Sequence, residues 1–139
     1  MKGTAMKQEK VGIVARARPY LSTVSGQGIF GSGKGELLAA VEKYGSLRKA
    51  ATELGRGYRQ AWGDINRAEK YLGFPLVLRS RGGSKGGTMV LTERGSRFLH
   101  SWQKHCTYIA NAVEQSYKKY ISNIINQNEG ANECKHTKN

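Results

Sequence analysis

Four consecutive residues, Gly57-Tyr58-Arg59-Gln60, open a stretch of helical periodicity and carry the side chains best suited to reading hydrogen-bonding edges. Arginine presents a planar fork of N–H donors, and glutamine offers a donor and an acceptor together. A helix entering a DNA major groove meets base edges with its N-terminal residues, where Arg59 can fork to a guanine and Gln60 can pair with an adenine. Tyr58 can meet a phosphate or a thymine methyl. Gly57 lets the backbone come close, with the positive end of the helix dipole favouring phosphate. Arg56 and Arg67 are placed as backbone clamps, and Asn66 shares their outward face. A second group follows in the run Ser-Arg-Gly-Gly-Ser-Lys-Gly-Gly at 80–87, four glycines with two cations. Arg79, Arg81, Ser84 and Lys85 can follow phosphates there or enter a minor groove. Residues 56–63 and 79–87 together hold five Arg or Lys and no Asp or Glu, whereas a merely solvated surface mixes both signs.

Short glycine-delimited helices position these groups. Leu37, Leu38 and Val41 share one face of a helix from about Lys34 to Tyr44, and Gly45 stops it as a left-handed cap. Ser46 can accept an orphan amide and start a helix over Leu47–Leu54, with Leu47, Ala50, Ala51 and Leu54 inward. Gly55 permits a sharp turn. The helix over about Gly57–Leu72 turns Ala61, Ile65, Ala68 and Leu72 inward and presents Tyr58, Arg59, Trp62, Asn66 and Arg67 outward; Trp62 is expected to pack on a neighbouring helix or on the glycine-rich hairpin. Gly73-Phe74-Pro75 breaks it. Leu76–Arg79 and Thr88–Leu91 fit two strands around the glycine-rich run, and Thr92 can cap a last helix. This order is that of a helix-turn-helix followed by a wing.

The last helix carries apolar marks at Phe98, Leu99, Trp102, Cys106, Ile109, Val113, Tyr117, Tyr120 and Ile124, and the period runs to about Ile125. Such a helix spans roughly 50 Å, more than one small domain can cover. A second copy is the natural cover, so Trp102, Cys106, Ile109, Val113, Tyr117, Tyr120 and Ile124 are expected to form a homodimer seam. Upstream, residues 11–30 hold β-prone residues around Gly26-Gln27-Gly28 and fit a small sheet. Residues 1–10 and the polar tail read as disordered. The expected organisation is an N-terminal extension with a small sheet (1–30), a winged helix-turn-helix (31–99), a long dimerisation helix (92–126) and a tail (127–139). The fold class is mainly α with small β.

A net charge of +13 on 139 residues asks for a polyanionic partner. No apolar run approaches the ~20 residues that cross a bilayer, and the N-terminus lacks a signal-like apolar stretch. Cys106 and Cys134, too far apart in sequence for a disulfide framework, fit a reducing cytoplasm.

The segment from about Phe30 to Leu99 resembles the DNA-binding domain of the molybdate-responsive ModE family, itself akin to LysR-type regulators. The pieces that carry the resemblance are GSLRKAATELG, YRQAW, the wing RGGSKGG and LTERG. LGFPLVLR and the alanine pair are LysR-like as well. Two positions depart from the pattern. Gly57 stands where the family often has Ser, and Gly63 where an acid often follows the tryptophan. The resemblance implies a winged helix-turn-helix that binds duplex DNA. Family members carry molybdate-binding domains after this module; this chain runs out soon after its long helix, so the expectation is a stand-alone form without a molybdate-binding domain.

Other chemistries are weaker. Gly28-Ile29-Phe30-Gly31-Ser32-Gly33-Lys34 nearly spells a phosphate loop, but Gly35 replaces the hydroxyl residue that would hold magnesium. His100 and His105 are five apart on one helix, and no Cys-x-x-Cys occurs, so neither a metal nor another cofactor is expected. The ten acids are scattered without a nucleophile–base pair, which argues against an enzyme. The expected function is sequence-specific transcription regulation on double-stranded DNA as a homodimer, without a membrane partner. The alternative is an architectural or protein-interaction module of the same fold.

Overall fold

A computed structural model of the chain describes residues 11–83 and 86–127, with side chains outside 81–86. The elements are β1 (Leu21–Ser22), β2 (Gly28–Phe30), α1 (Ser32–Tyr44), α2 (Leu47–Glu53), α3 (Tyr58–Leu72), β3 (Val77–Gly83), β4 (Gly86–Leu91), α4 (Glu93–Tyr120) and α5 (Ser122–Ile125). This is a mainly helical chain with small antiparallel sheets, arranged as a winged helix-turn-helix. The chain divides into two units, residues 18–109 and a second comprising the described residues 11–17 and 110–127.

In the larger unit, backbone chemistry sets most boundaries. Gly45 takes a left-handed φ of 67° and donates to the Val41 carbonyl at 2.8 Å, ending α1. Ser46 Oγ then accepts the Lys49 amide at 3.1 Å and starts α2. Gly55, with φ +69°, turns the chain from α2 into α3. The turn between α2 and α3 is closed by the Arg56 amide donating to the Ala51 carbonyl at 2.8 Å. At the far end of α3, Gly73 adopts φ 85°.

The core is apolar throughout. It gathers Leu37, Leu38 and Val41 of α1, Leu47, Ala50 and Ala51 of α2, and Ala61, Ile65 and Ala68 of α3. Phe30 of β2, Val77 and Met89 of the wing strands, the adjoining Leu76, and Leu99 and Trp102 of α4 complete it. The small alanines on facing helices let the helix pair approach closely.

The wing is an antiparallel pair with Val77 opposite Leu91, Leu78 opposite Val90 and Arg79 opposite Met89. Ser80 and Thr88 join their hydroxyls across the pair. The period of two gives the hairpin two faces. Val77, Arg79, Met89 and Leu91 share one, while Leu78 and Val90 lie exposed on the other. Thr92 closes the hairpin: its N–H donates to the Leu76 carbonyl at 2.9 Å, and its Oγ1 accepts the Gly95 amide at 2.8 Å to cap α4. A side chain at Gly95 would collide with the Leu76 carbonyl, so this helix turn requires glycine.

Several expectations are corrected. α1 begins at Ser32, two residues earlier than its apolar period indicated. The N-terminal sheet is confined to β1 and β2, joined by a turn in which the Gln27 amide donates to Thr23 Oγ1 at 2.9 Å. Val11, Ile13 and Val14 are exposed and in no strand. Trp102 is not a free seam residue. It is 6% exposed, edge-on to Phe30 with ring centroids 5.2 Å apart, and its indole lies against Gly35. Cys106, one turn on, is half-buried against the same core. An apolar stripe shows only that a helix face is covered, and here the chain's own β2 and α1 cover its beginning.

The second unit holds the end of α4. The helix stops at Tyr120 rather than running to Ile125, and α5 follows from Ser122. Ser122 Oγ donates back to the Lys118 carbonyl at 3.1 Å, a bond that bends helices by competing for the ladder acceptor. Glu114 and Lys118 pair at 3.3 Å one turn apart. The expectations for residues 1–10, for Ser84 and Lys85 and for the tail from 128 on, Cys134 included, lie outside the described residues, as does the side chain of Arg81.

Candidate nucleic-acid interface

The inward face of α3 is Ala61, Ile65 and Ala68, all buried. At 3.6 residues per turn the opposite, outward crest is Arg59, Gly63 and Arg67. Arg59 and Gln60 are exposed, and their side chains make no hydrogen bond or ion pair among the described residues. Gly57 caps α3 in extended conformation without a side-chain cap bond, and the space where its side chain would stand is open. The first-turn amides of α3 therefore face outward beside Tyr58, which is 40% exposed.

One flank of the crest is built from aromatic rings and guanidinium groups. Tyr58 and Trp62 stand one turn apart, stacked at 6.4 Å with planes 16° apart. The Arg48 guanidinium of α2 lies 4.5 Å from the Tyr58 ring centre, and that of Arg79 lies 4.4 Å from the Trp62 ring centre. The result is a continuous Arg–Tyr–Trp–Arg stack running from α2 across α3 to β3. Trp62 does meet the wing, as expected, but through a cation over its face rather than by burial; it remains 36% exposed.

Arg79 is thereby placed differently from the free wing cation that the sequence indicates. Its Nη2 donates to Asn66 Oδ1 at 2.8 Å and approaches Glu69 Oε1 at 3.4 Å. Asn66, also expected to point at DNA, is the partner that receives it. Glu69 holds the same junction from the α3 side. Its Oε2 accepts the amides of Leu76 at 2.7 Å and Val77 at 3.2 Å, so the entry to the wing is tied directly to α3.

On the other flank, Gln60 and Asp64 line an open cleft of about 460 Å³ together with Gly31, Gly33, Lys34 and Arg56. Arg56 is anchored rather than free: Nη1 donates to the Gly33 carbonyl at 2.9 Å, and Nη2 pairs with Glu36 at 3.5 Å. Lys34, the lysine of the near phosphate-loop motif, donates instead to the Ile29 carbonyl at 3.0 Å. Arg67 donates to Asp64 Oδ1 at 2.6 Å, which holds its guanidinium along the crest. His100 faces Glu42 at 3.3 Å.

Three features were not read from the sequence: Arg48 over Tyr58, the Trp62–Arg79 contact, and the two amides held by Glu69. Signals for the last two exist. The period of two puts Arg79 on the face of buried Val77, and helical spacing aligns Tyr58, Trp62, Asn66 and Glu69 in one stripe toward the wing.

A helix-turn-helix with a two-stranded wing, and a cationic crest on its second motif helix, defines the class. Residues 35–96 match the family described as bacterial regulatory helix-turn-helix protein, lysR family, and this segment is a helix-turn-helix of that type. Among curated proteins, the chain is 32% identical over 88 residues to the molybdenum-pterin-binding protein MopB of Rhodobacter capsulatus, covering 63% of this chain and 30% of that protein. It is 38% identical over 63 residues to the molybdenum transport protein ModE of Azotobacter vinelandii, covering 45% of this chain and 23% of that one. The chain thus spans less than a third of the length of the curated relatives it matches. Among solved structures it is similar to ArgP from Mycobacterium tuberculosis, at 23% identity and a TM-score of 0.46, covering 60% of this chain and 29% of that one. No helix among the described residues is long and apolar enough to cross a membrane.

Proposed function

We propose that the chain is a sequence-specific, DNA-binding transcriptional regulator that acts in the cytoplasm on duplex DNA as a homodimer. The observation that carries this reading is the outward crest of α3. Arg59 and Gln60 are exposed without partners among the described residues, next to uncapped first-turn amides, on the second helix of a LysR-type helix-turn-helix. Arg59 and Gln60 read base edges in the major groove. Tyr58 and the amides at Gly57 contact phosphate and set the orientation, while Arg56 braces the turn before α3 through Gly33 and Glu36. Arg81, Ser84 and Lys85 of the wing supply further backbone contacts, while Arg79 and Asn66 act from behind by holding the wing to α3.

The homodimer uses the later part of the α4 stripe. Ile109, Val113 and Tyr117 of α4 are half-buried, and Tyr120 at its end and Ile124 of α5 are exposed. A two-fold protein then favours a near-palindromic site.

Selection of bound sequences from a random DNA pool, followed by competition of the selected site against random duplex, tests the reading. A preference of about 10³ or more is expected. A ratio near unity would move the chain to an architectural role. Light scattering at high micromolar concentration is expected to give the dimer mass, and a monomer there refutes the seam.

A further inference from the structure

Gly63 lies in the middle of α3, where glycine is the poorest residue short of proline. The fold does not ask for it. Its backbone is not among the left-handed glycines of the chain. It faces away from the core, and an added Cβ would meet one group within 4 Å, Nη1 of Arg67 at 3.3 Å. That group is the far end of a flexible side chain that is 61% exposed and able to give way. The chain therefore carries a helix-weakening residue on the crest, half-buried beneath the Arg67 side chain, one turn from Arg59 and one turn from Arg67, and no contact with the core requires it.

The neighbours of this notch are ordered around it. Arg67 folds back across Gly63, and its Nη2 donates to Asp64 Oδ1 at 2.6 Å. The Asp64 side chain is only 16% exposed, so the anchor is fixed while the guanidinium stays open to the outside. Such a charge-assisted bond leaves a planar fork with its direction set in advance.

We infer that Gly63 and the Asp64-anchored Arg67 form a base-reading unit: the missing side chain leaves room for the Arg67 guanidinium to lie against α3, and Arg67 so held meets a guanine edge rather than a phosphate. This inference rests on the regulator reading above and deepens it. It replaces the expectation that Arg67 is a backbone clamp. It also explains why a residue at the centre of the reading face has no side chain of its own.

The test uses the full chain and the selected duplex. Gly63→Ala is expected to raise the melting midpoint by about 3 °C or more, because alanine favours the helix. The same variant is expected to lose about ten-fold or more in affinity for the selected site, with random-duplex affinity changed less than about two-fold. Arg67→Lys keeps the charge and loses the fork; it is expected to relax preference at one base pair per half-site while leaving the salt dependence unchanged. A wild type that discriminates between duplexes, joined to a Gly63→Ala variant that binds the selected site equally well, overturns this inference alone. So does an Arg67→Lys variant with unaltered base preference. A wild type that does not discriminate overturns the regulator reading and this one with it.

Discussion

Glu69 is the residue on which the link between α3 and the wing depends most directly. Its side chain is 15% exposed, and one oxygen accepts two amides, those of Leu76 and Val77, both on buried residues. The Leu76 peptide is held at both ends, since its carbonyl accepts the Thr92 amide. Glu69→Ala removes the acceptor from both amides at once. A buried donor left without a partner costs about 1–3 kcal/mol, so two give about 2–6. Water entering the space left by the carboxylate brings the expected loss to about 2–4 kcal/mol. Against a total stability of about 5–15 kcal/mol this is a large fraction. Glu69→Gln keeps one acceptor oxygen in place, and its expected loss is about 1–2 kcal/mol. Urea unfolding of the two variants beside the wild type, with the slope required to match, measures both. A loss under about 0.5 kcal/mol for the alanine variant would refute the reasoning, since surface substitutions reach that size. So would a glutamine variant as damaged as the alanine one, because the acceptor role would then be irrelevant.

Four further outcomes follow from the same geometry. Arg79→Ala is expected to lose about 1–2 kcal/mol through its cation–π contact and its bond to Asn66, and Arg79→Lys to restore less than half of it in thermal melts; full restoration by lysine would remove the planar stack from the account. Trp102→Ala is expected to destabilise the larger unit by about 3–5 kcal/mol, to the same extent at every protein concentration. A loss seen only as subunit dissociation would return Trp102 to the seam. Gly95→Ala is expected to cost about 1–3 kcal/mol, because the helix must shift off the Leu76 carbonyl; a melting midpoint equal to wild type contradicts that contact. Arg59→Ala is expected to lose about 1–3 kcal/mol on the selected duplex in anisotropy titrations, and equal losses on random duplex would reassign Arg59 from base to backbone.

Much of the larger unit follows from local rules. Gly45 and Ser46 end one helix and begin the next by bonds reaching only three or four residues along the chain. The inward faces of α2 and α3 follow from spacing, because helical period and core burial coincide there. The outward position of Tyr58, Arg59 and Gln60 follows from the same period. Those statements need no knowledge of what lies across the fold, which is why residues alone carry them. The roles of Arg79, Asn66 and Trp102 required the tertiary structure. A cation in a glycine-rich hairpin and an outward asparagine both look available for DNA. Only the docking of β3 on α3 brings Arg79 onto Trp62 and Asn66, because their contact depends on chain segments more than ten residues apart. An apolar residue on a long helix signals that something covers it and leaves the cover unnamed: for Trp102 it is Phe30 and Gly35 of the same chain. The break at Ile121 is invisible to periodicity for a related reason. Apolar spacing passes straight through it, while the backbone of Ile121, at φ −117°, leaves the helical range between α4 and α5.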